Sequence, residues 1–299
     1  MKNLNYHYCQ KSNLNSSLFV FHSSLLTLHY SLFSYSLYMN TYFLSDAHLG
    51  SWAEQHKRTQ ERRLVRFLDE IKGKASAIYL LGDMFDFWAE NKYVAPKGYT
   101  RFLGKISELT DAGVEVHYFI GNHDIWMYGY LETECGVILH KKEETMDING
   151  KLFFLGHGDG VGKKDVGFSI IRWIFHNRFC QKLFSLLHPD FQVWLGQTWA
   201  KHSRMKRVDG KEAPFQGDDK EPLVQFAMEY SKTHPDIDYY VFGHRHIALD
   251  YTLSPLPVEG LGEVSRLILL GDWIWQFTYA EFDGEHMVLH EYVEGESKL

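Results

Sequence analysis

The chain reads as an α/β protein built on one mixed sheet, or on two packed sheets, with helices outside. Three observations predict this. Short apolar runs alternate with amphipathic stretches through the first part of the sequence. Strand-type runs crowd the last part. Residues suited to binding cations follow the apolar runs directly, and ligands of open α/β sheets gather beyond the carboxyl ends of strands.

The elements follow in order. Residues 42–45 form the first strand and 54–72 a charged amphipathic helix. Residues 77–81 are apolar throughout and predict a buried strand. A helix over 99–112 ends at Gly113, and strands follow at 114–120 and 152–155. A helix near 220–233 leads into a strand at 238–242. Further strands are expected at 264–270, 276–282 and 286–293. Residues 163–211 break the alternation, with ten basic and three acidic residues. That leaves the insert at +7 and the rest of the chain at −14, against a net charge of −7. The insert is also rich in Phe and Trp. It predicts two helices, 165–187 and 190–205, separated by His188-Pro189.

Bulk properties set bounds. The 299 residues are 45% hydrophobic and 16% aromatic, enough for a sizeable core, and the negative net charge gives no sign of nucleic-acid binding. Cys9, Cys135 and Cys180 share no metal-type spacing and form no even framework, so a reducing compartment without structural disulfides is expected. Residues 1–38 hold two Lys and no acidic residue, and their apolar run from Leu18 to Leu26 is interrupted by His22, Ser23 and Ser24. The expectation is that Met39 is the true start, that 1–38 are a non-native or disordered extension, and that 39–299 form the working domain. A cryptic export or anchoring segment is the alternative.

Five motifs carry the chemistry: Asp46-Ala47-His48, Gly82-Asp83, Gly121-Asn122-His123-Asp124, Gly156-His157 and Gly243-His244-Arg245-His246. Alternate residues of an extended segment face one side, so Asp46 and His48 can reach one cation. A carboxylate bridges two cations through its two oxygens, which suits Asp83. The allocation is Asp46, His48, Asp83 and His246 at one ion, and Asp83, Asn122, His157 and His244 at the other. Oxygen and nitrogen donors without thiolate suit Mn²⁺ first, with Fe or Zn²⁺ as alternatives. A cation pair is what an enzyme needs to cleave a phosphate ester without a covalent protein nucleophile. His123 is expected to stabilise the transition state or protonate the leaving oxygen, with Asp124 orienting its ring. Each fragment alone has an ordinary reading: Gly-Asp is usually a turn, His117 a packed or surface residue, and Asp86 a helix-start or supporting residue. Their ordered, strand-terminal conjunction points to a dinuclear site.

This order of motifs resembles the calcineurin-like metallophosphoesterase superfamily, over about Tyr42 to His246. The resemblance implies a β-sandwich of two mixed sheets flanked by helices, with a helical cap insert. Within the superfamily the chain is similar to the UDP-2,3-diacylglucosamine hydrolases of lipid A synthesis. The specific points are the runs from Phe43 to Leu49 and from Tyr79 to Asp86, Gly158-Asp159 after His157, Asp165 with Gly167 and Phe168, and Leu270-Gly271-Asp272-Trp273. In that family the insert caps the active site and binds acyl chains. The resemblance further implies substrate contacts from Asn122, His123, Asp165, Ser203, Arg207 and His244, and hydrolysis of a pyrophosphate to UMP and an acylated sugar 1-phosphate. It implies peripheral work on the cytoplasmic face of the inner membrane, with a lipid-linked nucleotide as partner and no obligate protein partner. One departure stands out: well-known proteobacterial members carry Asn-Arg where this chain has Asn122-His123, the general superfamily histidine. Three alternatives remain open. One is a phosphoesterase for another nucleotide or a phosphoprotein. Another is a metal-poor scaffold. The third is an insert of two ordinary amphipathic helices with a solvated basic face.

Overall fold

The computed structural model describes residues 39–51, 58–162, 166–205, 214–253 and 264–293, apart from the side chains of 166, 168 and 202–205. The chain divides into two units, Met1–Met39 and Asn40–Leu299. The expectation for residues 1–38 lies outside the described residues, and every described strand and helix belongs to the second unit.

Eleven strands are described: β1 (Asn40–Leu44), β2 (Ala75–Leu81), β3 (Glu115–Phe119), β4 (Ile138–His140), β5 (Glu144–Ile148), β6 (Lys151–Gly156), β7 (Tyr239–Phe242), β8 (Ala248–Thr252), β9 (Arg266–Leu270), β10 (Thr278–Phe282) and β11 (Met287–Glu291). The helices are α1 (Thr59–Ile71), α2 (Thr100–Asp111), α3 (Tyr130–Cys135), α4 (Val166–His176), α5 (Arg178–Ser185), α6 (Pro189–Met205) and α7 (Pro222–Tyr230). The strands make two mixed sheets, ordered β11-β10-β1-β2-β3-β4 and β5-β6-β7-β9-β8.

Side-chain alternation explains why the sheets stack. Phe43, Tyr79, Leu81 and Phe119 on the first sheet bury against Phe153, Leu155, Val241 and Ile268 on the second. Their neighbours in sequence turn outward: Tyr42, Leu44, Ile78 and Leu80 pack under α1 and α2, and Tyr240 and Phe242 under α7. A strand buried on both faces must be apolar at every position, as β2 is in its second half.

Three strands escaped the sequence reading. β4 is three residues long, β5 (ETMDI) has an exposed face, and β8 (ALDYT) carries a charge at its centre. All three lie at sheet edges, where alternation is weak. The short α3 was also not expected. In the insert the single helix expected over 165–187 is two helices. Asn177 leaves the helical region, and its side-chain oxygen accepts from the Phe179 and Cys180 amides, capping α5.

The topology places the site. β1, β2 and β3 run parallel, as do β6, β7 and β9. Their carboxyl ends meet on one rim, and the His157 Nδ1 to Leu81 carbonyl hydrogen bond (2.9 Å) ties the end of β6 to the end of β2.

Candidate metal centre

Asp46 and His48 follow β1, Asp83 follows β2, Asn122 follows β3, His157 follows β6, and His244 and His246 follow β7. All seven expected ligands therefore gather on the rim. The backbone holds them in an uncommon way. Nine described non-glycine residues have positive φ, and five are Asp46, His48, Asp83, His244 and His246. Left-handed backbone at a non-glycine residue costs free energy and persists only where its surroundings enforce it. The enforcing bonds are Asp46 N to Gly82 O (3.1 Å), His48 N to Asp83 O (2.9 Å) and Trp273 N to Asp46 O (3.1 Å). Packing is equally tight. A Cβ on Gly243 would stand 1.7 Å from Ser45 Oγ and 2.5 Å from Asp46 Oδ2, so only glycine lets β7's exit pass β1's.

The donor atoms converge in two groups. In the first, Asp46 Oδ1 lies 3.2 Å from His246 Nε2 and 3.6 Å from His48 Nε2, and the two imidazole nitrogens are 3.3 Å apart. In the second, Asp83 Oδ2 lies 3.3 Å from His157 Nε2, which is 3.2 Å from Asn122 Oδ1. Asp83 joins the groups, since its Oδ2 is also 3.7 Å from His48 Nε2. The His244 ring sits edge-on to that of His157 at 5.1 Å.

These residues fit a pair of cations. Asp46 Oδ2 is satisfied by the His244 amide at 2.8 Å and by the Ser45 hydroxyl. Asp46 Oδ1, by contrast, is buried without a hydrogen bond and faces the two histidines. A buried carboxylate oxygen without a donor is costly unless a cation completes it. Asp83 likewise commits Oδ1 to the His123 amide (2.8 Å) and leaves Oδ2 among the imidazoles. His157 donates its Nδ1 hydrogen to a carbonyl, which fixes the tautomer that presents Nε2. Electrostatics agrees. Burial pushes the Asp46 and Asp83 carboxyls up, yet nearby histidines, His246 and His157 respectively, hold both well below the ordinary range. Burial and the neighbouring His157 push His244 down to about 3.

His123 is buried with its ring edge-on to His48 at 4.7 Å. Its Nδ1 meets the Asp86 carbonyl oxygen at 2.8 Å. The expectation that Asp124 orients this ring is corrected here. The Asp124 carboxylate instead accepts from the amides of Gly121 (2.6 Å) and Met84 (3.0 Å) and from the Tyr118 hydroxyl (2.6 Å). Its acidic side chain cross-links the loops after β2 and β3. Burial and the neighbouring Asp83 raise its pKa to about 7.

Three residues support the centre: Asp86, read from sequence as a helix-start or supporting residue, and Asp272 and Asp159, which had no assigned role. Asp86 Oδ1 is 3.5 Å from His48 Nδ1, and Asp272 Oδ2 is 3.9 Å from His246 Nδ1, so carboxylates stand behind two candidate ligands. Asp272 also accepts from the amides of Ile274, Trp275 and Gln276. Its signal was present: Gly271-Asp272 follows an apolar strand just as Gly82-Asp83 does. Asp159 is buried and pairs with Arg172 of α4 at 2.8 Å. His117, expected to be packed, stacks on Tyr79 away from the centre.

The insert lies over the His123 side of the rim. Trp199 of α6 is 5.6 Å from the His123 ring, and Phe184 of α5 is 4.3 Å from Trp126. Gly196 permits the approach of α6, since a Cβ there would stand 2.3 Å from the Phe87 ring. Among the expected substrate contacts, Asn122, His123 and His244 sit at the centre. Asp165, Arg207 and the Ser203 side chain lie outside the described residues.

The chain is similar to several known proteins. The model of the calcineurin-like phosphoesterase family matches residues 39–248. A UDP-2,3-diacylglucosamine hydrolase of Porphyromonas gingivalis is 40% identical over 258 residues, covering 83% of this chain and 95% of the relative. One of Hahella chejuensis is 28% identical over 247 residues, with the same 83% and 95% coverage. Among solved structures, a dimetal phosphatase from Danio rerio is 13% identical with a TM-score of 0.41, covering 85% of this chain and 96% of that one.

Proposed function

The chain belongs to the calcineurin-like phosphoesterase family, and from that premise we infer that it is the metal-dependent hydrolase that splits UDP-2,3-diacylglucosamine into UMP and 2,3-diacylglucosamine 1-phosphate. The observation that carries the chemistry is Asp83, whose Oδ2 stands between His48 and His157 and so links two donor groups. The substrate reading rests on the 40% identical relative of that name.

When bound, two divalent cations, Mn²⁺ first, supply Lewis acidity and an activated water for in-line displacement at phosphorus. Asp46, His48, Asp83 and His246 would hold one ion, and Asp83, Asn122, His157 and His244 the other. In the displacement, water oxygen bonds to the α-phosphorus and the bond to the bridging anhydride oxygen breaks. UMP carries the new oxygen, and the acylated sugar phosphate departs with the bridging one. His123 stabilises charge on the phosphoryl oxygens or gives a proton to the departing oxygen. The Asp86 carbonyl fixes its ring for that task. Asp124 acts by holding the loops that carry Asp83 and Asn122 in place.

The cap is the part suited to lipid. Its exposed apolar side chains include Trp173 (65% exposed), Phe179 (69%) and Leu186 (76%), and Arg178 and Lys182 lie among them in sequence. Singly exposed apolar residues are ordinary, but a concentrated set marks a binding surface. We place these residues on acyl chains and on the cytoplasmic face of the inner membrane. Apolar burial there contributes about 0.8 kcal/mol per methylene, and each nearby Lys or Arg about 1 kcal/mol at an anionic surface. Among the described residues no helix is long and apolar enough to cross a membrane.

The test is product release by the purified chain with Mn²⁺ across lipid nucleotides, plain nucleotides and phosphopeptides. Release of UMP from UDP-2,3-diacylglucosamine, faster than any release from the others, is expected. Preferential turnover of a soluble nucleotide or a phosphopeptide would contradict the substrate. It would favour the broader phosphoesterase reading that His123, in place of the proteobacterial Arg, also suits.

A further inference from the structure

A second opening borders the centre at Asp86. It is a cleft of about 940 Å³ between α6 of the cap and, among the described residues of the core, residues 49–51, Arg58, Glu61 and residues 97–101. That volume is at the upper end of small-molecule sites, about 300–1,000 Å³. It opens onto the metal centre through Asp86, which lines it and stands 3.5 Å from His48. Four cations line it: Arg58, Lys97 and Arg101 from the core, and Lys201 from the cap. The two acids on its wall are turned to protein partners. Asp86 faces His48, and Glu61 accepts the amides of Arg101 (3.0 Å) and Phe102 (3.2 Å) at the start of α2. Among the described residues Lys97, Arg101 and Lys201 form no ion pair, so their charge is available to an anion.

The rest of the lining suits a base and a sugar. Tyr99 and Trp194 offer aromatic faces, and Gln197 and Thr198 offer an amide and a hydroxyl. An acyl chain placed here would strip water from these polar groups without replacing their hydrogen bonds, which is unfavourable. The hollow at His123 is lined by Phe87, Trp88, Ile125, Trp126, Phe175 and Trp199 and is apolar apart from Asn122 and His123, but at about 10 Å³ it has room for no more than about one water, so the cleft is the opening able to take a nucleotide.

We propose that the basic cleft lined by α6, Arg58, Lys97 and Arg101 is the subsite for the nucleoside monophosphate half of the substrate. Arg101 and Lys201 then bind its ribose hydroxyls and base carbonyls from opposite walls, its phosphorus lying at the metal centre, and Tyr99 or Trp194 stacks on its base. The assignment rests on the hydrolase reading of the metal centre. It adds that substrate binding draws Lys201 of the cap toward Arg101 of the core.

The experiment uses the full chain loaded with Mn²⁺ and two assays. Hydrolysis of bis(p-nitrophenyl) phosphate is inhibited with UMP and, separately, with inorganic phosphate; turnover of UDP-2,3-diacylglucosamine is measured alongside. The wild type should bind UMP about tenfold or more tightly than phosphate, and Arg101→Gln/Lys201→Gln should remove about tenfold of that preference, as expected for lost charged contacts. Both side chains are exposed, so the variant should fold. Lys97→Gln serves as a milder second variant, with a smaller loss in the same direction. A wild type that turns over the lipid nucleotide but binds UMP no better than phosphate overturns the subsite and leaves the hydrolase reading standing. So does a double variant that keeps the full preference. A wild type that cleaves the diester but not the lipid nucleotide overturns both.

Discussion

The rim of the sandwich and the helical cap solve opposite problems. At the rim, seven side chains from both sheets are fixed by backbone bonds, by left-handed residues and by a glycine contact with no room for a methyl group. In the cap, α4–α6 touch the core through a few defined contacts. They include the Arg172–Asp159 pair (2.8 Å), the Trp126 indole to Phe175 carbonyl bond (3.0 Å), the Asn91–Gln192 amide pair (2.9 Å) and the Phe87–Gly196 approach, beside the ring contacts of Phe184 and Trp199. Much of the remaining cap surface is apolar and exposed. On the proposed function, the contrast teaches that chemistry is built where two sheets over-determine geometry, while recognition is left to an insert free to meet a large, variable ligand.

If that division is right, damage at the rim should abolish turnover of every substrate, and damage to the cap should be selective. The largest effect is expected from Asp83→Ala. It removes the bridging carboxylate, so metal content should fall and kcat/KM should drop about 10³-fold or more on both the lipid nucleotide and a small chromogenic diester. Loss on only one substrate would break the comparison. His123→Ala should keep both metals, read by elemental analysis, and lower kcat about 10²-fold or more. A metal-replete variant with an undiminished rate would refute its role.

Gly196→Ala tests the seam. The added methyl meets the Phe87 ring, and overpacking of this kind costs about 1–3 kcal/mol. A lower Tm and a raised KM for the lipid nucleotide are expected, with diester turnover little changed; equal loss on both substrates would mean that the cap also shapes the metal centre. The smallest effect on the fold belongs to Trp173→Ser/Phe179→Ser. Stability should move by no more than about 0.5 kcal/mol per exposed site. Retention on anionic vesicles should nevertheless fall about a hundredfold or more, because each of the two side chains contributes about 1.5–3 kcal/mol of apolar burial. Unchanged retention would remove the cap from the membrane.

The sequence made the candidate metal ligands legible because each strand ended in a short polar motif, and parallel strands bring such ends to one rim. The central strands were legible for a related reason: β7 and the second half of β2 are buried on both faces and so lack polar interruptions. The edge strands β4, β5 and β8 were not, because water on one side removes the apolar signal. The break at Asn177 was missed because the apolar period runs through it, and only the cap hydrogen bonds reveal it. Positive φ at Asp46 or His48 cannot be read from residue type, since it is imposed by bonds from distant segments. The same holds for Asp124: adjacency to His123 suggested a partnership, whereas its carboxylate points at Tyr118 and the Gly121 and Met84 amides.

The most direct test of the dinuclear centre is the metal content of the purified chain, measured against protein concentration with and without Asp83. The wild type should carry close to two transition-metal ions per chain after Mn²⁺ loading, and Asp83→Ala should retain well under one. A wild type that holds less than one ion and is not activated by Mn²⁺, or an Asp83→Ala variant that still holds two, would contradict the account.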